Sequence, residues 1–325
     1  MKLLCEHTRS SNASLRLNAM WALKHLMLGA ESALKKSCLE ELEPGLLVRL
    51  ICDDTEDNAL GSSRPGVESP AFDTDDTMDE DVDMQQPEEQ KGAASGVSAE
   101  EASGRGRTRQ MDEKLARYRE MEVNPASKAR QDDLAIQEQA LNFIRNLLTC
   151  GPGSPSLDTE SETAQMVDYL FSELGQDRFL SILESKLRPK VVRPFSRRGG
   201  AGGGRESRVV YPQPQIIEAV IFILINLSAG APRHRQLVIA QTAMLKQLGT
   251  YFNSGRKEVR MALCYLVSNL TWAEDAGDAG GCRQRALELK RLGFLGKVEG
   301  LREEDGELDV RERAKNALWQ MEQPY

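Results

Sequence analysis

The sequence predicts an all-α superhelical solenoid, a stack of helical repeats interrupted by long disordered insertions. The strongest evidence is an apolar stripe that occurs five times. The five copies are Ala19–Leu26, Ala140–Leu147, Val220–Leu227, Leu263–Leu270 and Ala314–Met321. Counted back from the last residue of each copy, positions 0, −3, −4 and −7 are apolar, which is the spacing of one buried helix face. In addition, β-branched residues show no alternating pattern typical of strands.

Two shorter amphipathic segments separate each striped helix from the next, and this order defines the repeat unit. The four pairs are Ser32–Leu42 with Gly45–Cys52, Ala164–Leu174 with Phe179–Leu187, Pro232–Ala240 with Met244–Phe252, and Cys282–Leu292 with Phe294–Leu301. Gly293 separates the last pair, since glycine readily ends a helix. The last two stripe ends follow their predecessors by 43 and 51 residues, near the roughly 40–47 residues of a three-helix armadillo repeat.

The first two intervals, 121 and 80 residues, are therefore single repeats that carry insertions. We expect one right-handed armadillo-type solenoid over residues 1–325, with four full units after a partial one that contains Leu3–Thr8. Because the chain begins inside a unit, we expect either a fragment or a loss of N-terminal repeats. An acidic-then-basic insertion at 54–128 should be disordered, since its acidic part has too few apolar residues to offset the entropy of ordering. A basic, glycine-rich insertion spans 188–212, and its glycine run Gly199–Gly204 should also be mobile.

The charge of the chain lies mainly in these insertions. Residues 53–101 contain sixteen Asp or Glu against Arg64 and Lys91, a net charge of −14. Residues 188–208 contain seven Lys or Arg against Glu206, a net charge of +6. The whole chain carries −8, so the remainder is neutral. The acidic balance is therefore a property of one insertion and not of the solenoid surface.

No pattern indicates an enzyme, a metal site or a cofactor. The three histidines, His7, His25 and His234, form no metal-ligand spacing with Cys, Asp or Glu, and no nucleophile elbow or phosphate-binding lysine loop is present. The six cysteines are expected to be buried, reduced thiols. No apolar run is long enough for a membrane span or a signal region, so a cytoplasmic and nuclear location is expected.

A second column beside the stripe points to a binding surface. Position −1 reads His25, Asn146, Asn226, Asn269 and Gln320, and position −5 reads Trp21, Asn142, Phe222, Tyr265 and Asn316. Positions four apart lie on one helix face. A row of amides could hold the backbone of an extended peptide while aromatic rings pack its side chains, and Trp272 would extend this patch. Alternatively, each amide bonds only the backbone of a neighbouring repeat.

Three strings resemble armadillo-repeat proteins. These strings are Leu15–Leu26 (LRLNAMWALKHL), Gln236–Phe252 (QLVIAQTAMLKQLGTYF) and Val259–Trp272 (VRMALCYLVSNLTW). They resemble more closely the C-terminal half of the armadillo-repeat subunit of the GID/CTLH ubiquitin ligase. This resemblance implies a non-catalytic scaffold for proteasomal degradation, whose partners are other ligase subunits, including the complex scaffold and the tail of a substrate receptor.

By this resemblance, the partner-binding role falls on Asn146, Phe222, Asn226, Tyr265 and Asn269. Trp21 and Trp272 join this set from the column pattern. No membrane and no small-molecule substrate is expected as a partner.

Two other functions stay open. The first is a transport adaptor similar to importin-α, which needs acidic residues beside its groove. The striped helices offer Glu218 but more often arginine, at Arg145, Arg260 and Arg313, which favours a neutral or acidic partner. The second is nucleic-acid binding by the basic insertion, a less favoured hypothesis that predicts strong salt dependence.

Overall fold

The computed structural model describes residues 1–52, 125–149, 161–192 and 208–322. The described residues 1–52 and 131–322 belong to one compact unit, and the described residues 125–130 belong to a second. The described part of the second unit is the start of one helix at 125–130. The predicted insertion at 54–128 therefore lies outside the described residues except at 125–128, which begin that helix. In the predicted insertion at 188–212, residues 193–207 lie outside them.

The described residues are mainly helical, and their helices follow the predicted order. The first half contains α1 (Lys2–His7), α2 (Ala13–Met27), α3 (Ser32–Leu42), α4 (Pro44–Cys52), α5 (Pro125–Leu148), α6 (Glu162–Leu174) and α7 (Gln176–Leu187). The second half contains α8 (Pro214–Ser228), α9 (Pro232–Ala240), α10 (Thr242–Gly249), a 3₁₀ turn (Thr250–Asn253), α11 (Lys257–Leu270), α12 (Ala279–Arg291), α13 (Phe294–Glu304) and α14 (Leu308–Glu322). The striped helices are α2, α5, α8, α11 and α14.

Local sequence explains where several helices begin and end. The Asn12 side chain accepts hydrogen bonds from the backbone N–H groups of Ser14 and Leu15, which caps α2. Gly293 has a φ of +77°, a left-handed conformation that costs glycine little, and it separates α12 from α13 as predicted. The predicted segments Ser32–Leu42 and Pro232–Ala240 match α3 and α9 at both ends.

A two-stranded ribbon, which the sequence pattern did not predict, follows α7. Strand β1 (Lys190–Val192) pairs antiparallel with β2 (Arg208–Val210), with Val191 opposite Val209. Valine favours a pleated backbone, but three residues per strand are too few to show an alternating pattern. The ribbon leaves the all-α class unchanged.

The stripe forms the core in four of its five copies. All four stripe positions are buried in α5, α8, α11 and α14. These helices pack in succession, with α8 against α11 and α11 against α14. In α2 the stripe prediction is wrong at its last residue, since Leu26 is 43% exposed whereas Met27 is buried.

Candidate protein-binding surface

The predicted column runs along successive striped helices, and we call its residues at positions −1 and −5 the ladder face. Asn146 lies on α5, Phe222 and Asn226 on α8, and Tyr265 and Asn269 on α11. All five side chains are partly exposed. The ladder face therefore spans several repeats and is partly accessible on α5, α8 and α11.

The asparagine side chains at position −1 form a regular seam between repeats. Each amide nitrogen donates to the backbone carbonyl at position −2 of the preceding striped helix. The pairs are Asn146 with Lys24 at 2.8 Å, Asn226 with Arg145 at 2.9 Å and Asn269 with Ile225 at 3.1 Å. These hydrogen bonds match the alternative prediction for the amide column, in which each amide bonds the backbone of a neighbouring repeat. Their Oδ1 atoms accept no hydrogen bond from the described residues.

The first and last copies depart from this geometry. His25 is exposed and its ring contacts that of Trp21 in a tilted arrangement, with ring centroids 4.3 Å apart and 57° between the ring planes. Gln320 is buried, and its Nε2 donates to the Thr271 carbonyl at 3.0 Å. That acceptor follows the end of α11 and is not the position −2 carbonyl, which belongs to Ser268. The regular seam is thus confined to the three inner asparagines.

Two aromatic residues of the ladder face lie beneath arginines from adjacent repeats. The Arg145 guanidinium carbon is 3.7 Å from the Phe222 ring centroid, and that of Arg313 is 4.5 Å from the Tyr265 centroid. Such cation–π contacts contribute about 0.5–1 kcal/mol at exposed sites. Burial lowers the pKa of Arg145 and nearby Glu218 raises it. Phe222 and Tyr265 are therefore each partly covered by a positive charge.

The two tryptophans of the predicted binding set are more accessible than Phe222 and Tyr265. Trp21 is 55% exposed and Trp272 is 54% exposed. The Trp272 backbone is fixed, since its carbonyl accepts a hydrogen bond from Arg285 Nη2 at 2.9 Å. Large exposed aromatic side chains on a fixed backbone are typical anchors of protein interfaces.

The charges near the ladder face have both signs. Glu218 lies one turn before Phe222 on α8, and burial raises the pKa of its carboxyl. Glu258 raises that pKa further, while Arg145 lowers it. An importin-like groove for basic peptides would require a mainly acidic surface, and this surface carries both positive and negative charges.

Arg260 does not lie free at the edge of the ladder face. Its Nε and Nη2 donate to both carboxylate oxygens of Asp305 at 2.6 and 2.9 Å. The Asp305 side chain is 3% exposed, and this ion pair lowers its pKa. Arg260 therefore joins α11 to the residue that follows α13. No sequence pattern predicted this pairing, since the partners are 45 residues apart.

A buried arginine cluster, also absent from the sequence prediction, fixes the end of α11. Arg285 Nε donates to the Leu270 carbonyl at 2.7 Å, and its Nη1 and Nη2 bond both oxygens of Asp278. Arg235 pairs with the same carboxylate at 3.3 Å and donates to the Ser228 carbonyl at 3.2 Å. This cluster satisfies helix-end carbonyls that would otherwise lack partners.

No cluster of metal-ligating side chains occurs among the described residues. Within the same ranges, no helix has both the length and the apolar character needed to cross a bilayer. Cys5, Cys38, Cys264 and Cys282 are buried free thiols and Cys52 is partly exposed, while Cys150 lies outside the described residues.

Comparison with known proteins supports an armadillo-type fold. No family model matches the chain. A curated relative, Armadillo repeat-containing protein 8 of Danio rerio, is 26% identical over 106 residues. That match covers 33% of this chain and 15% of the relative, so the chain spans a small part of that protein's length.

Two solved structures show the same fold at low sequence identity. A designed armadillo repeat protein in complex with the peptide (KR)4 aligns with a TM-score of 0.52 and 12% identity, over 98% of this chain and 81% of that chain. A computationally designed armadillo repeat protein for modular peptide recognition aligns with a TM-score of 0.51 and 13% identity, over the same shares. The predicted armadillo-type all-α solenoid is thereby confirmed.

Proposed function

We propose that this chain is a non-catalytic protein-binding scaffold that holds the substrate receptor of a GID/CTLH-type E3 ubiquitin ligase. The observation that carries the binding function is the ladder face. It combines exposed aromatic rings with amide oxygens that no described residue engages. A repeat solenoid presents such groups on consecutive units, which suits an extended polypeptide better than a small substrate.

The ladder face and the nearby Trp272 can bind a peptide through the amide oxygens and through the rings of Trp21 and Trp272. The Oδ1 atoms of Asn146, Asn226 and Asn269 are acceptors for peptide N–H groups, each worth about 0.5–1.5 kcal/mol net. Trp21 and Trp272 offer apolar surface for partner side chains. The asparagine nitrogens are already used in the seam, so the partner's carbonyl groups would need other donors.

The ligase assignment rests on sequence resemblance and on the partial match to an armadillo relative. In such a complex the scaffold binds the receptor tail and the other ligase subunits. It then acts by raising the effective concentration of substrate near the transfer machinery. We propose that this happens in the cytoplasm and nucleus, which imaging of a fluorescent fusion would test.

Affinity purification from cells, with identification of the bound proteins, tests the assignment. We expect RING-type ligase subunits and a substrate receptor to be recovered. Recovery of nuclear cargo without ligase subunits would refute the ligase role.

The same purification with Trp272→Ala tests the binding surface. We expect loss of the receptor with little change in Tm, because Trp272 is half exposed and its fixed carbonyl remains. Tyr211→Ala is a matched control, since Tyr211 is 71% exposed and lies between β2 and α8. Equal receptor recovery by Trp272→Ala and Tyr211→Ala would show that Trp272 is not part of the interface.

A transport-adaptor function is the second candidate, and Glu218 is the observation that favours it. Its carboxyl lies near Glu258 and Glu138 as well as Arg145. Fluorescence anisotropy with a labelled peptide of alternating Lys and Arg distinguishes the two functions. We expect weak binding because arginines cover Phe222 and Tyr265, whereas tight binding abolished by Glu218→Gln would favour the adaptor.

A further inference from the structure

A second surface feature is a pocket of about 390 Å³ between the first helices of the solenoid. It is lined from the turn after α1, from the start of α2, from α4 and from α5. Three of its lining residues are arginines, Arg9, Arg16 and Arg49, and we call it the arginine pocket. It shares no residue with the ladder face.

The three arginines differ in how many hydrogen bonds and ion pairs they form. Arg9 donates to the Cys5 carbonyl at 3.3 Å and pairs with Glu43 at 3.0 Å. Arg16 uses Nη1 for the carbonyls of Ser10 and Ser11 at 2.8 and 3.1 Å. These bonds hold both guanidinium groups at the pocket while leaving donors unused, since a guanidinium has five N–H groups.

Arg49 is the least engaged of the three. It is exposed near the end of α4, and no described residue forms a hydrogen bond or an ion pair with it. Folding therefore positions this charge without neutralising it within the described ranges. A ligand that binds Arg49 gains a charge-assisted contact and breaks no existing bond.

The pocket combines positive charge with an apolar wall. Asp133 is the one carboxylate among the described lining residues, which together carry a net charge of +2. Glu43, outside the lining, pairs with Arg9, so Arg16 and Arg49 are the arginines without an acidic partner in the described part of the chain. Leu46, Leu50 and Ile136 line the same space and are buried. Low-dielectric walls strengthen the attraction of an anion to the arginines.

We propose that the arginine pocket binds a phosphate monoester carried by a compact apolar group. Guanidinium groups match phosphate oxygens with paired N–H donors, which makes arginine the usual residue for this anion. The apolar group would cover Leu46, Leu50 and Ile136. The volume lies at the lower end of the range for small-molecule pockets, and a bare phosphate ion would leave the apolar wall uncovered.

Isothermal titration calorimetry of the full chain at low salt, with phenyl phosphate as the probe, tests the proposal. We expect one saturable site, at least about tenfold weaker binding for Arg49→Gln, and unchanged binding for Arg302→Gln. Arg302 is a matched control because it is also exposed and lies on α13, outside the pocket lining. Both variants should keep the wild-type Tm, since both side chains are exposed.

Three results would overturn the proposal: no saturable binding, equal affinities for the wild type and Arg49→Gln, or inorganic phosphate binding as tightly as phenyl phosphate. A capped phosphotyrosine probe identifies the source of the phosphate group. Tighter binding of phosphotyrosine than of phenyl phosphate indicates a modified polypeptide, and the reverse order indicates a free small molecule. Either order, together with the loss in Arg49→Gln, supports the site.

Discussion

Replacement of Asn146 by alanine measures how much one seam amide contributes to the solenoid. Asn146 Nδ2 donates to the Lys24 carbonyl at 2.8 Å, across the boundary between α5 and α2. Lys24 lies in the last turn of α2, where carbonyls lack partners further along the helix. The Leu28 N–H bonds the His25 carbonyl and not that of Lys24. Alanine therefore deprives a helix-end carbonyl of its donor.

The expected cost of Asn146→Ala is about 1–2 kcal/mol, the loss associated with a partly buried polar group that loses its partner. For a domain of this size, about 1 kcal/mol corresponds to roughly 2–4 °C. The expected fall in Tm is therefore about 2–8 °C, measured by circular dichroism at 222 nm. Asn146→Asp should lose at least as much, because it keeps the size but replaces the donor with an acceptor.

Asn142→Ala is the matched control for this measurement. Asn142 lies one turn earlier on the same helix, and its amide donates to the Glu138 carbonyl of that helix at 3.0 Å. Alanine improves helix propensity by a few tenths of a kcal/mol there, so no fall in Tm is expected. Equal Tm values for Asn146→Ala and Asn142→Ala would refute the claim that the seam stabilises the contact between repeats.

Three further predictions concern one buried ion pair and two glycine positions. Arg260→Ala should cost about 3 kcal/mol at pH 7, because it leaves the buried Asp305 carboxylate without its partner. The pKa of Asp305 is lowered in the folded state. The stabilisation by the ion pair is therefore present above the ordinary Asp pKa of about 4 and is lost as the pH falls through the folded pKa. A Tm difference between the wild type and Arg260→Ala that stays constant down to pH 2 would contradict this prediction. Gly230→Ala should destabilise by about 1–3 kcal/mol, since its Cβ would lie 2.6 Å from Nδ1 of buried His234. Gly296→Ala should instead stabilise the fold by about 0.5–1 kcal/mol, because Gly296 lies in α13 and no atom is within 4 Å of the new Cβ. Chemical denaturation of Gly230→Ala and Gly296→Ala measures both changes in the free energy of unfolding.

The stripe made the fold predictable because burial follows a local period. Four apolar residues at fixed spacing identify the inner face of α5, α8, α11 and α14 without knowledge of their neighbours. The same rule predicted burial of Leu26, which is apolar and correctly spaced, but its side chain is 43% exposed. Spacing shows which side of a helix is apolar, whereas burial also needs another helix to cover that side.

The candidate site was only partly predictable, since its contacts join residues far apart in sequence. The column positions of Phe222 and Asn226 follow from the helix period. The arginine above Phe222 does not, because Arg145 belongs to the preceding repeat. Likewise, Arg260 was expected beside the ladder face but is held by Asp305. Charge alone did not indicate which arginines are free.

The two interpretations of the amide column are compatible, because a carboxamide has both a donor and an acceptor. In Asn146, Asn226 and Asn269 the donor bonds the preceding repeat, and the acceptor is unused among the described residues. Each hydrogen bond from an Nδ2 atom therefore also fixes the position of the Oδ1 atom of the same asparagine, and with it the spacing between successive Oδ1 atoms. It follows that an asparagine variant changes stability and acceptor spacing together, so a loss of affinity in such a variant does not by itself locate the partner. Trp272→Ala avoids this ambiguity, since it removes contact area while every seam hydrogen bond remains in place.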